Sequence, residues 1–188
     1  MVLDSKINFL MKIVNITSTA RIAKVLDLSL LSKHLWNSIY NPKRFNAIIF
    51  RLRKPSVTIL IFKTGKIVIV GAKTQEDSEA GAQKTAKVIT RIVKGNIFCS
   101  EFKIQNIVVS EKFNFKPDLE AFYISKRFLC QQYDGFYPAI KCYSNKEKGN
   151  LFANLFYSGQ MVISGADNMD DIIDYLNILS SVMKRFKK

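Results

Sequence analysis

The stretch Ile61-Phe62-Lys63-Thr64-Gly65-Lys66-Ile67-Val68-Ile69-Val70-Gly71-Ala72 decides the fold, because the chain carries it twice. Leu155-Phe156-Tyr157-Ser158-Gly159-Gln160 repeats its first half and Val162-Ile163-Ser164-Gly165-Ala166 its second. Phe62, Gly65 and Gly71 therefore find partners in Phe156, Gly159 and Gly165. Upstream, Ile13-Val14-Asn15-Ile16 returns as Ile104-Gln105-Asn106-Ile107, which aligns Asn15 with Asn106. The matches keep their order, so the chain is a tandem duplication of a unit of about 90 residues.

Each unit reads the same way. A strand comes first, over residues 12–20 and again over 101–110. A helical stretch follows, with Leu28, Leu31, Leu35 and Ile39 at helical spacing in the first repeat. Three strands over 45–54, 57–63 and 66–72 make a meander, broken at Pro55-Ser56 and Thr64-Gly65, both turn material. A long helix closes the unit. Thr74 and Asp77 form a capping box ahead of an apolar stripe of Ala82, Ala86, Ile89 and Val93. In the second repeat the matching helix starts near Asn168 and uses Ile172, Leu176, Leu179, Met183 and Phe186. Lys184, Arg185, Lys187 and Lys188 lie at its C-terminus, where the helix dipole favours cations.

The meander is apolar on both faces. One alternating set is Ile48, Phe50, Leu52, Ile59, Ile61, Ile67 and Ile69; the other is Phe45, Ala47, Ile49, Leu60, Phe62, Val68 and Val70. One long helix covers one face of an antiparallel sheet. The second set is then either buried against the other repeat in a sandwich or left as an exposed apolar patch, the mark of an interaction surface. Arg51 and Arg53 continue the second set. An apolar floor edged by guanidiniums suits a groove walled by phosphates better than it suits a sandwich core.

The net charge of +14 attracts polyanions. Nucleic acid, an anionic membrane surface and an acidic partner all satisfy that field. Residues 1–94 carry 17 Lys and Arg against 5 Asp and Glu, and residues 95–188 carry 12 against 10. Any electrostatic grip is therefore stronger in the first half. No apolar run approaches the roughly 18 residues of a membrane span, and the N-terminus lacks the pattern of a cleaved signal, so a soluble intracellular chain is expected. Cys99, Cys130 and Cys142 form no Cys-x-x-Cys pair and His34 is distant from them, which excludes a zinc motif and suits a reducing compartment. No carboxylate cluster, Ser/His/Asp set or phosphate loop supports catalysis.

Tyr40-Asn41-Pro42-Lys43-Arg44-Phe45-Asn46-Ala47-Ile48-Ile49 resembles the start of the sheet in TATA-box-binding proteins. Leu60-Ile61-Phe62 with Gly65-Lys66, Gly71-Ala72-Lys73, and Phe102-Lys103-Ile104-Gln105-Asn106 resemble further segments of that family, and the likeness runs from Lys12 to Lys188. It implies an α+β fold: a pseudo-twofold, two-repeat saddle with a curved ten-stranded antiparallel sheet and four helices on its convex face. The domains would be an N-terminal extension over 1–11, repeat 1 over 12–98 and repeat 2 over 99–188. The concave face would lie on a widened DNA minor groove. Aromatic wedges would be Phe45 with Phe62 and Tyr137 with Phe156. This wedge-and-kink mode belongs to the family itself and comes with the resemblance.

Base edges would meet Asn15, Asn106, Thr17, Val108, Leu60, Val68, Val70, Asn154, Val162 and Ser164, while Arg51, Arg53 and Lys66 would hold phosphates. The resemblance implies no cofactor, no metal, no membrane and no enzymatic step. It implies nuclear action on double-stranded A/T-rich DNA with general transcription factors IIA and IIB and the TBP-associated factors, and it allows a homodimer off DNA. The segment 144–150 would face factor IIB and the turn at 54–56 factor IIA. Several positions depart from the family pattern. Thr17 and Val70 exchange the usual Val and Thr, and Asn154 replaces a floor Leu. Tyr143 replaces an Arg, while Gln160 and Asp167 each replace a Lys. These departures make repeat 2 the weaker grip, and they leave a protein scaffold with altered DNA preference as the alternative function.

Overall fold

The computed structural model describes residues 11–125, 129–132, 138–144 and 151–188. They form strands β1 (Lys12–Arg21), β2 (Ser38–Asn41), β3 (Phe45–Leu52), β4 (Val57–Phe62), β5 (Lys66–Ala72), β6 (Ser100–Lys112), β7 (Leu129–Gln132), β8 (Ala139–Tyr143), β9 (Phe152–Phe156) and β10 (Gln160–Ala166). The helices are α1 (Leu28–His34), α2 (Gln75–Val93), α3 (Leu119–Ile124) and α4 (Met169–Met183), giving the expected α+β class. Two compact units emerge: an N-terminal one over Val14–Ile107, and a C-terminal one whose described residues fall within Val108–Lys188 and 11–13. Tyr137, residues 145–150 and nearly all of the N-terminal extension lie outside the described residues.

In the N-terminal unit the antiparallel order is β2-β3-β4-β5-β1. The duplicated Gly turn sets the β4–β5 hairpin. Gly65 has φ +74° and donates to the Phe62 carbonyl at 2.9 Å, while its own carbonyl accepts from Ile22 N–H at 2.9 Å. A Cβ here would lie 1.9 Å from the Ala23 carbonyl oxygen, so only glycine fits. The C-terminal unit repeats the device at Gly159, with φ +85°, a bond to the Phe156 carbonyl, and Phe113 N–H donating to Gly159. Its order is β6-β10-β9-β8-β7.

The predicted meander alternation is observed. Ile48, Phe50, Ile59, Ile61, Ile67 and Ile69 are buried, and α2 packs on β4 and β5 over this set. Each such isoleucine contributes about 1.5–3 kcal/mol by burial. Gly81, Ala82, Thr85 and Ala86 are the buried residues that let α2 approach, and a Cβ on Gly81 would lie 2.9 Å from a Val57 methyl. Thr74 caps α2 by accepting from Asp77 N–H at 3.1 Å, and Asn168 caps α4 by accepting from Asp171 N–H at 2.9 Å. Ile172, Leu176, Leu179 and Met183 line the buried side of α4, while Tyr175 donates its hydroxyl to the Cys142 carbonyl at 3.0 Å. Burial pushes the Tyr175 pKa up, which keeps it a neutral donor.

Three expectations need correction. The first helix stops at His34, Leu35 is its C-terminal cap, and Ile39 stands on β2. The chain leaves the helix at Leu35, which is already extended with ψ 111°, and Asn37, left-handed at φ +57°, then accepts from Arg51 N–H at 3.0 Å through its carbonyl, docking β2 on β3. Phe186 leaves the α4 stripe. It sits in a 3-10 turn over Lys184–Phe186 and packs edge-on to Phe122 at 5.5 Å between centroids. Its carbonyl accepts from Asp118 N–H at 2.6 Å, which ties the chain end to α3. Ala47, assigned to the open set, is 1% exposed, because its small side chain lies directly across from Phe62.

Candidate nucleic-acid interface

Antiparallel register builds the open face of the N-terminal unit row by row. Ile49 pairs with Leu60, Leu60 with Val68 and Val68 with Thr19. The next row runs Arg51, Thr58, Val70 and Thr17. Leu60, Val68, Val70 and Thr17 are each half-buried; Leu60, Val68 and Thr17 stand between fully buried neighbours along their strands, and Val70 between buried Ile69 and exposed Gly71. At the end of the face Phe45 is 42% exposed and meets Phe62 edge-on, 6.2 Å between centroids at 74°. A phenyl ring left this open beside a second one is shaped for stacking on a flat partner.

Asn15 shows which chemistry the face offers. Its Oδ1 accepts from Gly71 N–H at 2.8 Å, and its Nδ2 donates to Thr17 Oγ1 at 3.2 Å. The backbone N–H can only donate, so the amide orientation is fixed with the carbonyl engaged by the protein. The remaining N–H of Asn15 is a donor for an outside acceptor, and minor-groove A·T edges carry acceptors alone. Arg51 is exposed on its row and Lys66 is exposed at the start of β5. Arg53 lies in the turn beyond β3 rather than on the strand ladder, again exposed.

The C-terminal unit keeps this register with other side chains. Ala139 pairs with Phe156; Lys141 with Asn154 and Asn154 with Val162; Tyr143 with Phe152 and Phe152 with Ser164. Phe156, Asn154, Val162, Ser164 and Val108 all occupy half-buried strand positions, and so does Asn106, on the stretch of β6 that belongs to the N-terminal unit. Gln160 is turned inward and donates from Nε2 to Ser110 Oγ and, at 3.0 Å, to the Glu111 carbonyl. Where the first unit has the exposed Lys66, the second has a side chain spent on the neighbouring strand β6. Tyr137, expected as the fourth wedge, is outside the described residues.

The residue that sequence reasoning missed is Lys141. Its Nζ lies 3.9 Å from the Phe152 ring centroid and 5.0 Å from that of Tyr143, a cation–π clamp on the open face. Repeat alignment was the available signal, because Lys141 takes the register position of Ile49. Among the described residues no group of three His, Cys, Asp or Glu is placed to hold a metal, and no helix is long and apolar enough to cross a membrane.

Duplicated units, one helix-covered face and one aromatic-edged open face define the TATA-box-binding protein family. The family model described as "Transcription factor TFIID (or TATA-binding protein, TBP)" matches residues 10–92 and 101–186, and the chain belongs to that family of transcription factors. Particular relatives agree. The TATA-box-binding protein of Candida albicans is 36% identical over 174 residues, covering 93% of this chain and 72% of the relative. Saccharomyces cerevisiae TATA-box-binding protein is 36% identical, with 93% and 71% covered. Human TATA box-binding protein-like 2 is 35% identical over 93% of this chain and 50% of its own length. The solved structure of Methanococcus jannaschii TBP aligns with a TM-score of 0.82 at 26% identity, covering 93% of this chain and 98% of that one.

Proposed function

We propose that the chain binds TATA-like, A·T-rich duplex DNA through the minor groove, bends it, and nucleates a transcription pre-initiation complex in the nucleus, without a catalytic step. The observation that carries this reading is an open face that combines the apolar row Ile49–Leu60–Val68, the Phe45–Phe62 pair one rung away, and an Asn15 with its carbonyl already engaged. An apolar floor leaves the guanine amino group unpaired, whereas A·T edges lose little against it. Flexible, A·T-rich steps also cost least to deform.

In this assignment Phe45, Phe62, Tyr137 and Phe156 wedge between base steps. Asn15, Asn106, Thr17, Val108, Leu60, Val68, Val70, Asn154, Val162 and Ser164 meet base edges, and Arg51, Arg53 and Lys66 hold phosphates. Repeat 1 spans 12–98 and repeat 2 spans 99–188. Factor IIA would meet the turn at 54–56 and factor IIB the segment 144–150, with TBP-associated factors as further partners and a homodimer when DNA is absent. A fluorescence-based bending assay tests the core of the proposal: a TATA-like duplex should bend at low salt and a G·C-rich one should not. An unbent TATA-like duplex at saturating protein would overturn it.

The polar row Lys141–Asn154 favours a second reading, a family member serving chiefly as a protein scaffold. Site selection from random duplexes that enriches nothing, while factors IIA or IIB are still captured, would establish that reading instead.

A further inference from the structure

We infer that Lys141 and Asn154 form a base-reading pair that admits a G·C base pair in the half of the DNA site covered by the C-terminal unit. The inference rests on the minor-groove reading above and deepens it. Three observations converge. First, cross-strand register puts Lys141 and Asn154 side by side, with Val162 next, at the positions that Ile49, Leu60 and Val68 hold in the N-terminal unit. Second, the Lys141 ammonium is not left to solvent. Phe152 and Tyr143, themselves 6.2 Å apart, hold it over the open face at 3.9 Å and 5.0 Å from their centroids. Third, Asn154 Oδ1 is buried without a hydrogen-bond donor.

The contrast with Asn15 gives these facts a direction. Asn15 has its carbonyl satisfied by Gly71 N–H, so it offers a donor. Asn154 has an unsatisfied carbonyl that nothing in the protein holds in place. Rotation about its terminal bond, a broad torsion, turns that acceptor outward without breaking a bond to the carbonyl. The minor groove of an A·T pair presents acceptors alone, and G·C adds one donor, the guanine amino group. An ammonium, which only donates, matches cytosine O2 or a purine N3. A carbonyl, which only accepts, matches the guanine amino group. Together they complement G·C. Against A·T the Asn154 carbonyl stays unpaired, whereas the row Ile49–Leu60–Val68 leaves the guanine amino group unpaired.

The test uses the full chain. Random-site selection is followed by titration, at one stated salt concentration, of duplexes carrying single A·T to G·C changes. The wild type should tolerate or prefer G·C at one position in one half of the site and reject it at the corresponding position of the other half. Lys141→Ile with Asn154→Leu, copying the other row, should restore rejection there by about tenfold, with other positions and the salt slope unchanged. The mirror variant, Ile49→Lys with Leu60→Asn, should extend the tolerance to the other half as well, since Lys141 and Asn154 stay in place. A wild type that demands A·T throughout overturns the pair. So does a double variant that loses affinity on all sequences alike with a salt slope lower by about one, which would make Lys141 a phosphate ligand. If the double variant melts early, the wild-type titration decides alone. A wild type that binds no A·T-rich duplex fails the parent reading, a result distinct from binding without G·C tolerance.

Discussion

Ile49, Leu60 and Val68 in one unit and Lys141, Asn154 and Val162 in the other occupy the same rungs of the same kind of ladder. On the reverse face the units agree in chemistry: Ile48, Ile59, Ile61, Ile67 and Ile69 are answered by Ile140, Ala153, Leu155, Met161 and Ile163, all buried. The buried face fixes register, because a one-residue slip would turn every apolar side chain to water. The open face carries no such duty, so its side chains can change from apolar to polar while the frame stands. On the proposed reading, recognition and folding are therefore written on alternate residues of the same strands.

Changing the shared frame should have the largest effect. Gly65→Ala forces a Cβ to 1.9 Å from the Ala23 carbonyl oxygen at φ +74°, whereas at Gly159 the nearest contact is Phe115 O at 2.9 Å. Gly65→Ala should cost about 3 kcal/mol or more and Gly159→Ala about 1–3 kcal/mol. Urea unfolding with amide exchange on β5 and β10 checks this, and equal losses would show that the two turns are not under unequal constraint.

Next in size is the wedge pair. Phe62→Ala or Phe45→Ala should weaken DNA binding by roughly 30-fold and abolish bending, because a few kcal/mol of unstacking is supported by each wedge. Phe156→Ala and Tyr137→Ala should cost about tenfold or less, given the thinner charge of the second half. Equal or reversed losses, read by titration on one duplex, would remove the ranking of the two units.

Lys66→Gln, which makes the first unit resemble the second, should lower the salt slope of binding by about 0.9 and affinity only a few-fold. The reverse change, Gln160→Lys, gives up the bonds to Ser110 and the Glu111 carbonyl, so it should gain slope and lose thermal stability together. A gain of slope with unchanged melting would show that those bonds are dispensable.

Much of this was legible from the chain. Period-two alternation separated the two faces, the paired Gly turns placed the hairpins, and Thr74 and Asn168 announced their helices. Local pattern failed where a distant partner decided the outcome. Ile39 fits a helical stripe after Leu35, but the left-handed Asn37 and its bond to Arg51 make it a strand residue. Lys141 reads alone as a solvated strand lysine, and only cross-strand pairing brings the two rings that hold it. Glu111 stands buried with Oε2 unpartnered, and nothing in its neighbouring residues distinguishes it from an exposed acid. Arg53 alternates correctly with Arg51, yet β3 ends at Leu52 before reaching it.

The seam between α2 and its strands has one more consequence. Gly81, Ala82 and Ala86 have no rotamers to lose, and the isoleucines facing them are β-branched and stiff at χ1. Little conformational entropy is stored behind the open face, so a partner settling on it meets an unyielding plate and gains nothing by waiting for it to adapt. Adjustment then falls to the softer body: of the two surfaces in such an encounter, the duplex must take the shape of the protein.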